Sequence, residues 1–205
     1  MTKRLVDVLA SFFGLLIFSP ILLPVMLLVW KEDKESPFYI SPRSGRNNTT
    51  FQMVKLRSMV VGADNSGVDS TSENDLRITD IGHKIRRYKL DELIQLWNVL
   101  IGDMSLVGPR PNVKHETDSY TEMEKHLLSV KPGITDLSSI VFSDEGNILK
   151  GKHNPDLSYN QLIRPWKSRL GLIYIENQSF LLDIKLIFYT IIGIISKQRA
   201  LSWVA

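Results

Sequence analysis

Two adjacent carboxylates, Asp91 and Glu92, sit near the start of the stretch KLDELIQLWNVLIGDMSLVGPRP, which runs from Lys89 to Pro111. Leu90, Leu93, Ile94, Trp97, Leu100 and Ile101 recur on one side of a helix predicted to begin near Leu90, and Gly102 is its natural stop. The pair therefore falls in a first helical turn, where acidic residues often only complement the helix dipole. The same placement can also serve chemistry. The positive helix end favours an ionised Asp91, as a carboxylate nucleophile requires. A second carboxylate helps to hold a divalent cation, which offsets repulsion between an anionic nucleophile and an anionic phosphate. Successive helical residues point about 100° apart, so Asp91 and Glu92 are expected to have separate roles.

Basic residues flank the pair in sequence. Arg86 and Arg87 lie just upstream, and Pro109-Arg110-Pro111 lies downstream. Pro109 and Pro111 stiffen the backbone around Arg110, whose guanidinium is a planar partner for phosphate oxygens. Lys55 and Arg57, in VKLRSM, alternate along a predicted strand and are expected on one face. Each of these is ordinarily a solvated surface charge; five of them around a carboxylate pair suggest a diphosphate site. No Gly-x-Gly-x-x-Gly or Walker loop is present. His83, His115, His126 and His153 show no metal-ligand spacing.

The elements that must position these groups begin with an apolar run, LVDVLASFFGLLIFSPILLPVMLLVW, from Leu5 to Trp30, in which Asp7 is the only formal charge. As a straight helix its 26 residues reach roughly 39 Å, against a hydrocarbon core of about 30 Å. The run is too long for the core of a cleaved leader, and no small-residue cleavage site precedes the charged KEDKE run. Ser19-Pro20 and Pro24 interrupt it. A proline removes a helix hydrogen bond, so the segment reads either as a kinked transmembrane helix or as a helix–break–helix hairpin returning by the same face. Basic residues on both sides mildly favour the latter.

Beyond it, strands are predicted at Phe38–Ile40 and Thr50–Val54, and a mobile loop over Asp64–Asp75. Helices are predicted near Asp80–Tyr88, from Leu90, and over Asp118–Ser129, with a loop at Gly146–Asn154. Phe180–Ile195 reads as a buried or membrane-interfacial helix. With 205 residues the chain suits one domain with an appendage. The absence of cysteine excludes disulfides, thiolate nucleophiles and Cys-ligated metals. A balance of 25 basic and 22 acidic residues is too even for a nucleic-acid binder recognised by charge.

Taken together, these residues resemble the bacterial sugar transferases, the monotopic phosphoglycosyl transferases that initiate surface-glycan assembly. The resemblance is carried by Ser19-Pro20, Arg43 and Gly45, VKLRSM, GHKIRR from Gly82, the LDEL…GPRP block, KPGIT at Lys131–Thr135, and YIENQSFLLDIK from Tyr174. It implies a helix-rich α/β (α+β) membrane-associated domain with a re-entrant hairpin over residues 1–36, broken at Ser19-Pro20. Residues 37–205 would form a catalytic domain on the cytoplasmic face of the bacterial inner membrane, with a C-terminal interfacial helix.

The implied reaction moves a sugar 1-phosphate from a UDP-sugar to a polyprenol phosphate, releasing UMP, with Mg²⁺ required. Asp91 would be the nucleophile, forming a covalent phospho-sugar intermediate and lying near the metal, and Glu92 its partner, either as metal ligand or in handling the acceptor's proton. Lys55, Arg57, Arg86, Pro109, Arg110 and Pro111 would line the substrate. The lipid bilayer is an expected partner, nucleic acid is not, and self-association is an open possibility. The chain departs from the family after KPGIT, where Asp136–Ser143 replaces a stretch ending Gly-Arg, and at Gly171, where an acidic residue is common. An inactive, membrane-anchored nucleotide-sugar-binding or scaffold homologue is the rival reading.

Overall fold

The computed structural model describes residues 2–68 and 70–204, without the side chains of residues 194, 195, 197, 203 and 204. Met1, Ala205 and Asp69, the last within the predicted 64–75 loop, lie outside the described residues. The chain is helix-rich α+β. Helix α1 (Thr2–Asp33) leads into the antiparallel hairpin β1 (Phe38–Ser44) and β2 (Thr50–Leu56). Then come α2 (Asp80–Arg87), α3 (Leu90–Leu93), α4 (Leu96–Ile101), β3 (Ser105–Val107), α5 (Lys114–Asp118) and β4 (Gly133–Thr135). Strands β3 and β4 pair in parallel. Helices α6 (Leu137–Val141), α7 (Glu145–Ile148), α8 (Pro155–Leu162), α9 (Arg164–Glu176), α10 (Phe180–Ile195) and α11 (Lys197–Val204) complete the chain.

Helix α1 is uninterrupted at Ser19-Pro20, where a break was expected. Pro20 cannot donate to the Leu16 carbonyl, but the Ser19 hydroxyl does so at 2.8 Å. The serine thus satisfies the acceptor that the proline orphans, and the helix continues. One narrow stripe of α1 faces the rest of the chain, with Asp7, Ser11, Leu22 and Val29 buried. Leu9, Phe13, Ile17 and Leu27 lie exposed on its other faces. That is the reverse of a water-soluble surface helix, whose exposed faces are polar.

Both ends of α1 are held by the same body. At one end, Lys3 Nζ donates to the Val107 carbonyl at 2.9 Å, and Arg4 donates to the Val99 and Leu100 carbonyls, capping the last turn of α4. Asp7 accepts from the Ser105 hydroxyl at 2.9 Å and the Leu106 N–H at 3.0 Å. At the other, Leu22 and Val29 join Leu56 and Ile85 in a buried cluster. Asp33 accepts two hydrogen bonds from Arg57.

Two further cores complete the body. Phe51, Met53, Val99 and Met104 join the hairpin to α4, while Val107, Ile140, Tyr174, Leu186 and Ala200 join β3 to the C-terminal helices. Helix α10 spans the residues expected of it; Leu186 and Asp183 are buried, and Phe180, Ile184 and Phe188 are exposed. The helix expected over Asp118–Ser129 is displaced. Helix α5 ends at Asp118, and Glu124–Ser129 forms a 3-10 turn capped by a reciprocal Thr121–Glu124 box. Within the expected 146–154 loop, α7 forms up to Ile148.

Candidate active site

The carboxylate pair is placed by a change of backbone direction. Lys89 adopts φ 55°, in the left-handed region, and separates α2 from the short α3 that carries Asp91 and Glu92 in its first turn. Upstream, Thr79 caps α2 by accepting from the Gly82 N–H at 2.9 Å. The chain packs so closely there that a Cβ on Gly82 would lie 1.9 Å from the Ser58 carbonyl oxygen. This contact carries Arg86 to within 3.5 Å of the Ser58 hydroxyl, beside the end of β2.

Lys55 reaches the pair from β2. The strand is pinned to α4 by Asn98, which accepts from the Val54 N–H at 2.9 Å and donates to the Gln52 carbonyl at 2.7 Å. Asn98 is fully buried, and sequence reasoning missed it. An asparagine on the apolar side of the predicted helix was the available signal.

Arg110 arrives from the other side. Strand β3 runs into Gly108 and Pro109, and β4 lies so close that a Cβ on Gly133 would fall 2.1 Å from the Gly108 nitrogen. Only glycine permits that approach. The Gly108 N–H donates to the Thr135 carbonyl, and the Gly133 N–H to the Pro109 carbonyl. From this clamp Arg110 Nη2 donates to Glu92 Oε1 at 2.5 Å. Pro109 and Pro111, both buried, flank it. Gly171 also makes sense here: a Cβ would lie 2.7 Å from Leu127 and 3.7 Å from Pro109, leaving no room for an acidic side chain without movement.

The structure thus brings together Lys55, Arg86, Asp91, Glu92 and Arg110. It does not bring Arg57 with them. Arg57 lies beyond the end of β2, buried, with its guanidinium forked onto Asp33 and its Nε donating to the Ser36 carbonyl. Its part is to tie down the end of α1. Arg87 instead lies over the Tyr88 ring, 5.8 Å from its centroid.

The electrostatics divide the two carboxylates. Burial pushes Asp91 upward, as does the charge of Glu92, against the pull of Lys55, Arg86 and Lys89. Burial also opposes ionisation of Glu92, but Arg110, Lys55 and Lys89 outweigh it and hold the group at about 2. Lys55 is lowered to about 8 by burial and the nearby Arg110, with Glu92 and Asp91 partly offsetting them. Asp91 Oδ1 is buried and accepts no hydrogen bond from a described residue. A carboxylate oxygen left bare beside several cations is poised to receive a cation or an electrophile.

Among the described residues no group of three or more His, Asp or Glu side chains could enclose a metal. A hard cation that keeps its waters and binds one or two carboxylates with substrate phosphate suits such a site, and the bare Asp91 oxygen fits it. An open cleft begins at Arg110 and runs between Asn112, Tyr120, Tyr159, Arg164 and Lys167.

Residues 1–197 match the family model for bacterial sugar transferases. The chain belongs to that family. It is 34% identical to an uncharacterised sugar transferase of Haemophilus influenzae, over 97% of this chain and 42% of that protein. It is 35% identical to a UDP-glucose:undecaprenyl-phosphate glucose-1-phosphate transferase of Klebsiella pneumoniae, over 96% and 41%. To the exopolysaccharide production protein ExoY of Rhizobium meliloti it is 34% identical, over 93% and 84%. The chain therefore spans less than half the length of several of the curated relatives it matches, and most of ExoY.

Proposed function

We propose that this sugar transferase moves a sugar 1-phosphate from a UDP-sugar to a polyprenol phosphate such as undecaprenyl phosphate, releasing UMP. The observation that carries the reading is the bare, buried Asp91 Oδ1 among Lys55, Arg86 and Arg110. Asp91 attacks the β-phosphorus of the donor, a bond forms between carboxylate oxygen and phosphorus, and the bond to the α-phosphate bridge breaks, releasing UMP. The polyprenol phosphate oxygen then attacks the same phosphorus and frees Asp91. Lys55, Arg86 and Arg110 stabilise charge on the transferring phosphoryl group. Glu92, kept ionised by Arg110, fixes that guanidinium in place. Asp91 and Glu92 would hold Mg²⁺, whose charge would favour the ionised Asp91 and screen the phosphates.

Residues 1–36 serve as the membrane segment and residues 37–205 as the catalytic domain at the cytoplasmic face of the bacterial inner membrane. The anchoring of both α1 ends to one body supports entry and exit by the same face. A helix that crossed the bilayer would carry one end away from that body. Alongside α1, the exposed Phe180, Ile184 and Phe188 of α10 supply apolar surface for the interface.

The test is UMP release from a panel of UDP-sugars with undecaprenyl phosphate and Mg²⁺. Native chain should release UMP with at least one donor and trap a phospho-sugar on Asp91, whereas Asp91→Asn should be slower by about 10³-fold or more. Equal rates for Asp91→Asn and the native chain would remove the nucleophile assignment.

A further inference from the structure

The cleft beyond Arg110 differs in character from the Asp91 site. Each of its cations faces a carboxylate: Arg110 meets Glu92, Arg164 Nε lies 3.2 Å from Glu116, and Lys167 Nζ pairs with Glu145. A wall balanced in this way offers little net charge to a diphosphate, but it presents donors and acceptors side by side. One face of each ring is already covered, because the Arg164 guanidinium lies 5.9 Å from the Tyr120 centroid and Lys167 Nζ lies 5.1 Å from that of Tyr159.

The Tyr159 hydroxyl makes no hydrogen bond to another described residue, although Tyr159 lines the cleft. A neutral ligand rich in hydroxyls, each able to donate and accept, matches this lining.

We propose that the cleft seats the sugar of the donor, with Tyr159, Arg164 and Lys167 as specificity-determining residues. The inference rests on the reaction proposed above. With the β-phosphate between Arg110 and Asp91, the sugar points into the cleft and the nucleoside lies outside it. Two of the three residues, Arg164 and Lys167, lie on α9, and Glu145, the partner of Lys167, closely follows the Asp136–Ser143 stretch where this chain departs from the family pattern.

The test uses the 205-residue chain carrying Asp91→Asn, which leaves the donor intact. Calorimetry measures Kd for UDP and for UDP-glucose, UDP-galactose and their N-acetylated counterparts. The ratio of the UDP Kd to the UDP-sugar Kd reports the contribution of the sugar. Tyr159→Phe should lower that ratio about 3- to 10-fold, as expected for a lost hydrogen bond, and Lys167→Gln should reorder the donors. Kd for UDP itself should stay within about twofold. Should Tyr159→Phe fail to fold, Arg164→Lys carries the same comparison.

A parallel loss for UDP would place the nucleotide in the cleft and overturn the proposal, as would an unchanged ratio in all variants. Absence of UDP-sugar binding by both the native and Asp91→Asn chains would remove the proposed reaction, and this inference with it. Binding with an unchanged ratio removes the inference alone.

Discussion

Lys3 Nζ lies 2.6 Å from Asp183 Oδ2, so an ion pair spanning 180 residues of sequence holds the first turn of α1 to the first turn of α10. The Tyr174 hydroxyl donates to the other Asp183 oxygen at 2.6 Å, and Lys3 also reaches the Val107 carbonyl at the end of β3. The strand that delivers Arg110 is thereby tied to α1 and α10, two helices with exposed apolar faces. Asp183 is buried and Lys3 partly exposed, so removing the lysine strands a buried carboxylate.

Lys3→Met is accordingly expected to destabilise the chain by roughly 1–3 kcal/mol, a figure reduced for the exposure of the lysine. For a domain of this size that is a fall in Tm of about 3–10 °C. Thermal unfolding in detergent measures it. Adding Asp183→Leu to Lys3→Met should recover part of the loss, and a double variant no better than Lys3→Met would show that the pair is not the cause.

The pH dependence of kcat/KM for the UDP-sugar reports free enzyme and donor alone in a two-step transfer. Lys55 carries its charge below about 8 and loses it above. Donor capture should therefore decline as pH rises through about 8. Asp91, raised by burial and Glu92, must be ionised to attack, so the acid limb should lie above the usual carboxylate range. Lys55→Arg stays charged and should move the alkaline limb well upward. A limb that remains near 8 in this variant would assign it to another group.

Arg110 holds Glu92 and, in the proposed transfer, would also fork toward phosphate, two tasks that lysine cannot do together. Arg110→Ala should lower kcat about 10²-fold, in line with removal of one donor to a developing anion. Arg110→Lys should restore only part of that. Full rescue by lysine would reduce the role of Arg110 to that of a point charge.

Gly133→Ala should be far worse than a surface change, because its Cβ would sit 2.1 Å from the Gly108 nitrogen and 2.5 Å from its carbonyl oxygen. Backbone cannot yield as a flexible side chain does, so the cost is expected to be roughly 3 kcal/mol or more. Loss of folded yield with loss of UMP release measures it. A well-folded, active Gly133→Ala chain would mean that β3 and β4 are further apart.

The lack of cysteine makes the path of α1 directly testable. Single cysteines at Thr2 and Glu35 should react with an impermeant thiol reagent from the same side of sealed vesicles. Labelling from opposite sides would establish a span. Replacement of Ser19-Pro20 by Leu-Leu restores the proline's missing donor and should shift the population toward spanning.

What the sequence by itself determined was local and periodic. The apolar run of α1, the helix bounds of α2 and α10, the stop at Gly102 and the carboxylates in a first turn all follow from spacing and residue type. The motif block also carried the family. The tertiary structure decided what depends on partners distant in the chain. Arg57 looked like Lys55, two residues away on an alternating strand. The strand ends at Leu56, however, and Asp33 claims the guanidinium. Asp7 read as an isolated charge in an apolar helix until β3 supplied two donors for it. Asn98 and Gly133 gained their meaning only from β2 and Gly108. Pairing of this kind depends on which surfaces folding brings within hydrogen-bond reach, and no local periodicity encodes that.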